Sequence, residues 1–344
     1  MKKLVLVTGG TGFIGSHTVV ELVKADYDVV IIDNLSNSRI GVLDGIEKIT
    51  GKRPAFEQMD LCDLDRLTGF FKKYTPLAAI IHFAALKAVN ESVQKPLMYY
   101  ENNIVSLLNL LNLMNRFQVE NFVFSSSCTV YGEPDKLPVN EDSPIKKANS
   151  PYGNTKQISE SIIGDTIMSG HPVKAISLRY FNPIGAHPSA FIGELPLGIP
   201  NNLVPFITQT AYGIHSELMV FGNDYNTPDG SCIRDYIDVV DLSAAHVVAI
   251  ERLIQKKNRK DYEIFNLGTG KGVSVLEMIR AFEESNNLKI KYTIIDRRPG
   301  DVEKVWADTS LANSELGWMA ETSLEDTLRS AWKWENYFRQ ELDN

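Results

Sequence analysis

Cysteine is scarce in this sequence, with three residues in a chain of 344. Cys62, Cys128 and Cys232 form no C-x-x-C pair, and an odd, sparse set of this kind indicates reduced thiols, not a disulfide framework. Histidine is also rare, and the six residues lack the spacing of metal ligands. We therefore expect neither structural disulfides nor a metal site.

Long apolar runs and excess positive charge are missing as well. No apolar stretch approaches the roughly 20 residues that a membrane-spanning helix requires, and the first one stops at Thr8-Gly9-Gly10, too early for a signal peptide. A net charge of −8 and a pI near 5.4 disfavour nucleic acid as the main partner. These absences predict a cytoplasmic protein that binds neither membranes nor nucleic acids.

Short β-branched segments alternate with longer helical patterns through the first half of the chain. The strands are predicted at Lys3–Thr8, Asp28–Asp33, Ala55–Asp60, Ala78–Ala84, Asn121–Ser127 and Lys174–Asn182. Helices are predicted between them, among them Gly12–Lys24, Pro96–Phe117 and Tyr152–Ser169. Runs such as Val29-Val30-Ile31-Ile32 are typical of parallel strands covered on both faces. The pattern predicts an α/β fold with a doubly wound, Rossmann-type parallel sheet.

The alternation breaks after Asn182, where residues 183–201 are rich in Pro and Gly and show no period. Further helices are predicted at 202–212, 274–286 and 323–338, and further strands at 218–221, 262–267 and 289–296. We expect a first domain at 1–182 and a second, smaller α/β substrate domain at 183–344, with residues 235–265 returning to the first.

A glycine-rich turn joins the first predicted strand to the first helix, in Thr8-Gly9-Gly10-Thr11-Gly12-Phe13-Ile14-Gly15. Glycine allows a tight turn and a close approach of the backbone to a pyrophosphate, and the following helix presents free N–H groups to the phosphates. Because the motif stands between a strand and a helix, Gly9, Gly12, Phe13, Ile14 and Gly15 are predicted to bind a dinucleotide.

An acidic residue, Asp33, ends the second predicted strand eighteen residues after Gly15. Its carboxylate can accept hydrogen bonds from the ribose hydroxyls and would repel a 2′-phosphate, so NAD is favoured over NADP. The polar residues Asn34, Asn37 and Ser38 follow it. Asp60 and Leu61, at the end of the third strand, are positioned to meet the adenine. As an alternative, Asp60 caps the helix that begins near residue 63.

Tyr152 and Lys156 lie four residues apart at the start of a predicted helix, and so share one face of it. A phenol with a pKa of about 10 is a poor base near neutral pH, but a neighbouring ammonium and a positively charged nicotinamide would both favour the phenolate. Ser127 ends the preceding strand at the sheet edge where ligands bind in such folds. These three residues are the predicted catalytic group.

These motifs together resemble the extended short-chain dehydrogenase/reductases, and within them the UDP-glucose 4-epimerase family. The resemblance extends over essentially the whole chain. Its segments are T-G-x-x-G-x-x-G at 8–15, His82–Val89, S-S-S-C-T-V-Y-G at 125–132, P-Y-G-x-x-K at 151–156, Leu178–Pro183, Asn201–Leu203, Arg234–Ile237 and Arg297–Asp301.

The resemblance implies an NAD+ that is held and not consumed, a UDP-sugar substrate, and reversible inversion of C4 through a 4-keto sugar. It makes 1–182 the NAD-binding domain and 183–344 the UDP-sugar domain, and implies a homodimer built on the helices near 96–117 and 152–169. It adds the cofactor contacts Phe83, Ala84, Ala85, Lys87, Asn102, Ser125 and Tyr180. It gives as substrate contacts Ser127, Thr129, Tyr152, Asn182, Asn202, Leu203, Phe221, Arg234, Arg298, Asp301 and Val305.

Val305 departs from the pattern of relatives restricted to plain hexoses, which tend to carry Tyr there. Valine would leave room for an N-acetyl group, so UDP-GlcNAc and UDP-GalNAc are predicted as further substrates. Two alternative functions remain. One is a 4,6-dehydratase or UDP-glucuronate decarboxylase, disfavoured because Cys128 and Thr129 stand where dehydration needs an acid. The other is a non-catalytic NAD sensor, disfavoured by the intact Tyr152 and Lys156.

Overall fold

A computed structural model describes residues 2–298 and 301–343 of the chain. Its strands are β1 Leu4–Thr8, β2 Asp28–Asp33, β3 Ala55–Gln58, β4 Ala79–His82, β5 Asn121–Ser127, β6 Lys174–Tyr180, β7 Asn182–Ile184, β8 Leu218–Phe221, β9 Ile233–Arg234, β10 Tyr236–Asp238, β11 Tyr262–Leu267, β12 Val273–Ser274, β13 Tyr292–Ile295 and β14 Lys304–Val305. Its α-helices are α1 Phe13–Lys24, α2 Val42–Thr50, α3 Leu64–Tyr74, α4 Val89–Gln94, α5 Pro96–Arg116, α6 Pro151–Met168, α7 Leu203–Tyr212, α8 Val239–Ile254, α9 Val275–Asn286 and α10 Leu324–Asp343.

The central sheet has seven strands in the order β3-β2-β1-β4-β5-β6-β11, and every neighbouring pair is parallel. The chain moves outward from β1 to β3, returns through α3 to β4, and then moves outward on the other side. This reversal between β1 and β4 leaves a crevice at the carboxyl ends of the strands. The predicted doubly wound α/β fold is confirmed.

Alternate side chains of the strands enter two separate hydrophobic cores, one on each face of the sheet. Val5, Val7 and Ile31 pack with α1 and α8 on one face. Leu6 and Val30 pack with α3 and α5 on the other face. Burial on both faces explains the uninterrupted apolar runs of these strands and fixes the position in the sheet at which each strand ends.

The sixth predicted strand is interrupted in the structure, because the chain leaves the main sheet at Phe181. The Phe181 amide donates to Leu267 O at 3.1 Å, whereas the Asn182 amide already donates to Asp235 O at 2.9 Å. The chain thus passes from the pairing of β6 with β11 to that of β7 with β10. The polar side chain of Asn182 is consequently carried past the end of the main sheet.

A third hydrophobic core joins α7, α9, α10 and β8, and β8 pairs in parallel with β13, whose residues are exposed. Short strands β12, β9 and β14 form a three-stranded sheet beside it. The chain also returns to the first region: α8 lies in the core with α1, and β11 pairs with β6 in the main sheet. Where one domain ends and the next begins stays a prediction.

Within residues 2–298 and 301–343, none of the helices has both the length and the apolar character that a membrane span needs.

Candidate active site

The turn between β1 and α1 requires glycine for two different physical reasons. Gly9 has φ +70°, a left-handed conformation that other residues rarely adopt, and a Cβ there would lie 2.8 Å from Ala84 N. A Cβ on Gly15 would lie 2.2 Å from Gly9 O. Gly12 precedes α1 without a side-chain cap, so the first amides of the helix, from Phe13 and Ile14 onward, are free to meet an anion.

Asp33 reaches this turn from the end of β2. One carboxylate oxygen accepts from Thr11 N at 3.2 Å, and the other accepts from Leu35 N at 2.9 Å and Ser38 Oγ at 3.1 Å. A carboxylate offers about four acceptor positions, so one position is left for a ribose hydroxyl. Asn37 lies in the exposed bend beside it. The glycine turn and this buried acid fit the phosphates and the ribose of a dinucleotide.

The alternative role of Asp60 as a helix cap is wrong. The carboxylate accepts from Cys62 N at 2.8 Å and from the Asn34 amide at 3.1 Å, whereas α3 is capped by Asp63. Asp60 is therefore tied to the residue that follows Asp33, while Leu61 enters the core behind it. This arrangement brings together four of the predicted adenosine-side residues.

The segment after β4 crosses directly over the glycine turn. Phe83 N donates to Thr8 O at 3.1 Å, and Ala84 N lies 3.4 Å from Thr8 Oγ1. The chain then continues through Ala85 to Lys87, whose side chain is largely exposed. On α5, Asn102 lies beside Asn103.

Asn103, which the sequence did not single out, holds this segment in place. Its side chain accepts from Leu86 N at 2.8 Å and donates to Leu86 O at 3.0 Å. It also donates to Thr155 Oγ1 on α6 at 3.2 Å. The same residue therefore fixes the segment after β4 relative to the helix that carries Tyr152 and Lys156.

The predicted catalytic helix α6 begins at Pro151, after Ser150 accepts a capping bond from Gly153 N. Lys156 is buried, and its Nζ donates to Ser125 O at 2.6 Å. The same Nζ lies 5.9 Å from the centre of the Tyr152 ring. Helical spacing thus brings the phenol and the ammonium together, and the hydrogen bond fixes both against the end of β5.

Hydroxyl groups surround the phenol. Ser125 Oγ is hydrogen-bonded to Tyr180 OH, and Ser127, whose Oγ accepts from Thr129 N at 3.2 Å, lies close enough to Tyr152 to lower the pKa of the phenol. Among the described residues, the buried Thr129 Oγ1 has no hydrogen-bond partner. Buried hydroxyls are seldom left without partners, so Thr129 fits a site that receives a polar ligand at this point.

Burial controls the ionisation of Tyr152 and Lys156. It raises the pKa of Tyr152 to about 12, although the neighbouring Ser127 hydroxyl opposes the shift. It lowers the pKa of Lys156 to about 7, although the negative charge of Glu160 opposes that shift. At neutral pH the phenol of the chain alone is protonated. Phenolate therefore requires further positive charge near the ring, as an oxidised nicotinamide would supply.

A buried ion pair that the sequence analysis missed lies one helical turn beyond Lys156. Arg179 on β6 donates to both oxygens of Glu160, at 2.9 and 2.6 Å, and Ser126 Oγ donates to Glu160 at 2.6 Å. Ser126 points away from the catalytic face because side chains alternate along a strand. The pair thus anchors β5 from behind, and no local pattern marks it because its partners are 19 and 34 residues away.

Arg234, named above as a substrate contact, lies in the short strand β9, where its Cα pairs with that of Val305. The arginine is close enough to Cys128 to lower the pKa of that thiol against the larger effect of burial. The next residue, Asp235, accepts from Thr269 N at 2.8 Å, Gly270 N at 3.0 Å and Ala307 N at 3.1 Å. These bonds hold Arg234 toward the end of β5.

Arg298 and Asp301, predicted to contact different parts of a substrate, are bonded to each other at 2.8 Å. The guanidinium also lies 5.5 Å from the centre of the Phe221 ring, so these three residues form one group. Pro299 and Gly300 of the same motif lie outside the described residues.

Asn202 precedes α7 and Leu203 begins it. Asn202 donates to Glu194, a residue that the sequence analysis did not single out.

Comparison with known proteins agrees with this architecture. Residues 6–331 match the sequence model of the family described as GDP-mannose 4,6 dehydratase. A UDP-glucose 4-epimerase of Dictyostelium discoideum is 50% identical over 96% of this chain and 95% of its own length. The human UDP-glucose 4-epimerase is 48% identical over 97% of each chain.

A solved structure is also very similar to the chain. The UDP-glucose 4-epimerase of Bifidobacterium longum, in complex with NAD+ and UDP, superimposes with a TM-score of 0.93 at 44% identity, covering 97% of this chain and 98% of the other. The doubly wound sheet, the glycine turn and the Tyr–Lys pair beside a strand-end serine define an extended short-chain dehydrogenase/reductase. Within that class, the chain belongs to the UDP-glucose 4-epimerase family.

The geometry of the glycine turn gives a direct test of dinucleotide binding. Gly15→Ala should abolish retention of the dinucleotide, because the new methyl group would clash with Gly9 O and disrupt the first turn of α1. The matched control is Gly69→Ala in α3, where a Cβ would meet nothing within 4 Å. Dinucleotide released on denaturation is quantified by chromatography. Full retention by the Gly15 variant would contradict the assignment.

Proposed function

We propose that this protein interconverts UDP-glucose and UDP-galactose by transient oxidation of C4 with a tightly held NAD. The arrangement of Tyr152, Lys156 and Ser127 at the carboxyl end of β5 carries the proposal. A base, a cation beside it and a hydroxyl that can orient the reacting oxygen lie together, next to the turn that fits a dinucleotide. Membership of the UDP-glucose 4-epimerase family supports the same reaction.

NAD would be held by the glycine turn and by Asp33, with Asp60 on the adenine side and Lys87 near the nicotinamide half. The acceptor position left on Asp33 supports a free 2′-hydroxyl over a 2′-phosphate. When bound, NAD+ supplies an acceptor that takes the C4 hydride and returns it to the same carbon.

The chain's own residues would transfer one proton and bind one oxygen of the sugar. Tyr152, as phenolate, accepts the proton of the 4-hydroxyl as the C4–H bond breaks, which leaves a 4-keto sugar and a neutral phenol. Ser127 and Thr129 hold the 4-oxygen, and Lys156 stabilises the phenolate by its charge. After the keto sugar turns its other face, Tyr152 returns the proton while C4 regains hydride. Atoms and electrons therefore balance within each turnover.

The diphosphate would be bound by Arg234 and Arg298, whose planar donor groups suit phosphate oxygens. Asn182 and Asn202 would add amide donors, and Asp301 would accept from the uridine ribose. Leu203 and Phe221 would line the uracil or sugar. The ion pair between Arg298 and Asp301 beside Phe221 supports a shared role for these residues in nucleotide binding, because each charged group orients the other.

Dehydration and decarboxylation are less well supported, although the matching family model carries a dehydratase description. A 4,6-dehydratase needs an acid and a base besides the tyrosine, to remove water across C5–C6. Cys128 follows Ser127 directly, and burial raises the pKa of its thiol to about 12. Thr129 is not a comparable acid. The site thus holds groups for reversible oxidation at one carbon and lacks the pair for elimination at that position.

N-acetylated UDP-hexoses are a second candidate substrate pair, on the strength of Val305. Val305 pairs with the diphosphate-side Arg234 and packs with Tyr131 and Phe181. A residue larger than valine at this position would narrow the space beside the 2-position of the sugar, so valine supports acceptance of the bulkier acetamido group.

We also propose a cytoplasmic homodimer. Apolar side chains on α4 and α5 are exposed, notably Val93 at 60% and Leu97 at 80%, and α5 packs beside α6 in the same layer. Such a patch is typical of an interface between subunits. The three cysteines are free thiols, which suits a reducing compartment.

The first prediction from the proposed function concerns the candidate catalytic tyrosine. Wild-type protein without added NAD should equilibrate UDP-glucose and UDP-galactose, followed by NMR of the UDP-hexose pool. Tyr152→Phe should lower turnover at least about 100-fold, because the proton acceptor is lost, yet keep the bound dinucleotide. The control is Tyr74→Phe, which removes a hydroxyl that donates to Glu57 on the edge strand β3. Full activity in Tyr152→Phe would remove the tyrosine from its role.

The second prediction concerns substrate range. The wild type should also interconvert UDP-GlcNAc and UDP-GalNAc, whereas Val305→Tyr should lose that activity at least about tenfold more than the plain-hexose activity. Val305→Ala keeps the space open and should retain both. Rates for the two substrate pairs are compared in each variant. A wild type that rejects N-acetylated sugars would refute the proposal.

The third prediction concerns assembly. Light scattering after size exclusion should give twice the chain mass of 38.5 kDa for the wild type. Leu97→Glu should give the single-chain mass, because a charge would enter the apolar contact. Met319→Glu, at an exposed position 59% accessible outside α4–α6, should stay dimeric. A wild type of single-chain mass at micromolar concentration would overturn the dimer.

A further inference from the structure

Glu194 lies in the segment between β7 and α7 and contacts both sides of the cleft. Its Oε1 accepts from the Asn202 amide at 2.5 Å and lies 3.9 Å from Lys87 Nζ. Asn202 stands at the start of α7, on the substrate side, and Lys87 follows β4, on the cofactor side. One carboxylate oxygen therefore connects a proposed substrate contact with a proposed cofactor contact.

The helix α10 fixes the backbone that carries this carboxylate. Trp334 Nε1 donates to Glu194 O at 2.9 Å. The ring of Trp334 also covers Gly193 so closely that a Cβ there would lie 2.4 Å from it. Farther back, Ser330 Oγ accepts from Ala186 N at 3.0 Å. The position of the carboxylate is thus set by packing against a long helix and not by the loop alone.

The environment of Glu194 Oε2 argues against a purely structural role for this residue. The side chain is 10% exposed, and within the described part of the chain its Oε2 has no hydrogen-bond partner. Glu194, Thr208 and Glu335 together line a small cavity of about 10 Å³. Burial raises the pKa of Glu194, opposed by Lys87 and Asn202. A half-satisfied buried carboxylate costs stability, so glutamate is an unfavourable choice for packing alone.

We propose that Glu194 is a positioning residue that orients Asn202 for the nucleotide sugar and restrains Lys87 beside the cofactor. This inference rests on the proposed function. An asparagine amide has two N–H donors, and Glu194 takes one of them, so the direction of the other is set. Lys87 is 58% exposed and has a long, flexible stem. An opposite charge in reach limits the positions that its ammonium occupies.

The experiment uses the full-length holoprotein with Glu194→Ala and Glu194→Gln. The alanine variant removes both contacts and should raise KM for UDP-hexose about tenfold with kcat within about threefold of the wild type, as expected when ground-state binding is lost. It should also release dinucleotide faster than the wild type. The glutamine variant keeps an acceptor for Asn202 but has no charge for Lys87. It should show the faster release with a smaller change in KM.

A double-mutant cycle separates positioning from general destabilisation. Asn202→Ala should raise KM on its own but add little in the Glu194→Ala background, since the two residues act as one unit. Glu283→Ala, which removes an ion pair with Lys289 and a hydrogen bond from Ile290 N after α9, is the matched control and should change neither KM nor dinucleotide release.

Two results would overturn the inference: unchanged KM and dinucleotide release in Glu194→Ala, or full additivity with Asn202→Ala. Should Glu194→Ala fail to fold, Glu194→Gln carries the test through dinucleotide release. That readout needs no turnover, so it stays informative even if the wild type fails to act on UDP-hexoses. Failure of the proposed function and failure of the positioning role are therefore distinguishable.

Discussion

The hydrogen bond from the Lys156 ammonium to Ser125 O, at 2.6 Å, is the interaction on which the site depends. It joins a helix to the end of a strand, and so converts the regular spacing of α6 into a fixed position for Tyr152. The strand end is itself held from behind by Glu160 and Arg179. Because each of these groups is buried, a shift of any one would leave a charge or a backbone acceptor without a partner.

Local patterns were sufficient to predict the elements that position the candidate site residues. The glycine turn, Asp33 and the Tyr152–Lys156 spacing are short-range features, because each depends on a few neighbouring residues and on the strand or helix that contains them. β2 and β5 begin and end where the sequence predicts, since their apolar runs are buried on both faces and bounded by polar residues. Predictions from the sequence were most accurate for features that are determined within a single strand, helix or turn.

Features that depend on distant partners were missed or misjudged. The break at Phe181 follows from competition between β11 and β10 for successive amides, which no local pattern encodes. The short strand β9, which carries Arg234, was not predicted because a two-residue strand has no measurable period. Asp60 was a plausible cap until the structure showed Asp63 in that role. Glu194 lies in a segment rich in Pro and Gly. Its proposed role depends on its contacts with Lys87 and Asn202, neither of which is its neighbour in sequence.

The pKa values of Tyr152 and Lys156 explain how such a site can stay inactive until a cofactor binds. Burial shifts the pKa of Tyr152 to about 12 and that of Lys156 to about 7, so both shifts favour the uncharged form. A protonated phenol accepts no proton from a stray hydroxyl. A ligand that brings positive charge reverses the balance for the phenol, because phenolate then gains an opposite charge in a region of low polarity. Cofactor occupancy and base strength are thereby coupled through the same buried environment that the sheet and α6 create.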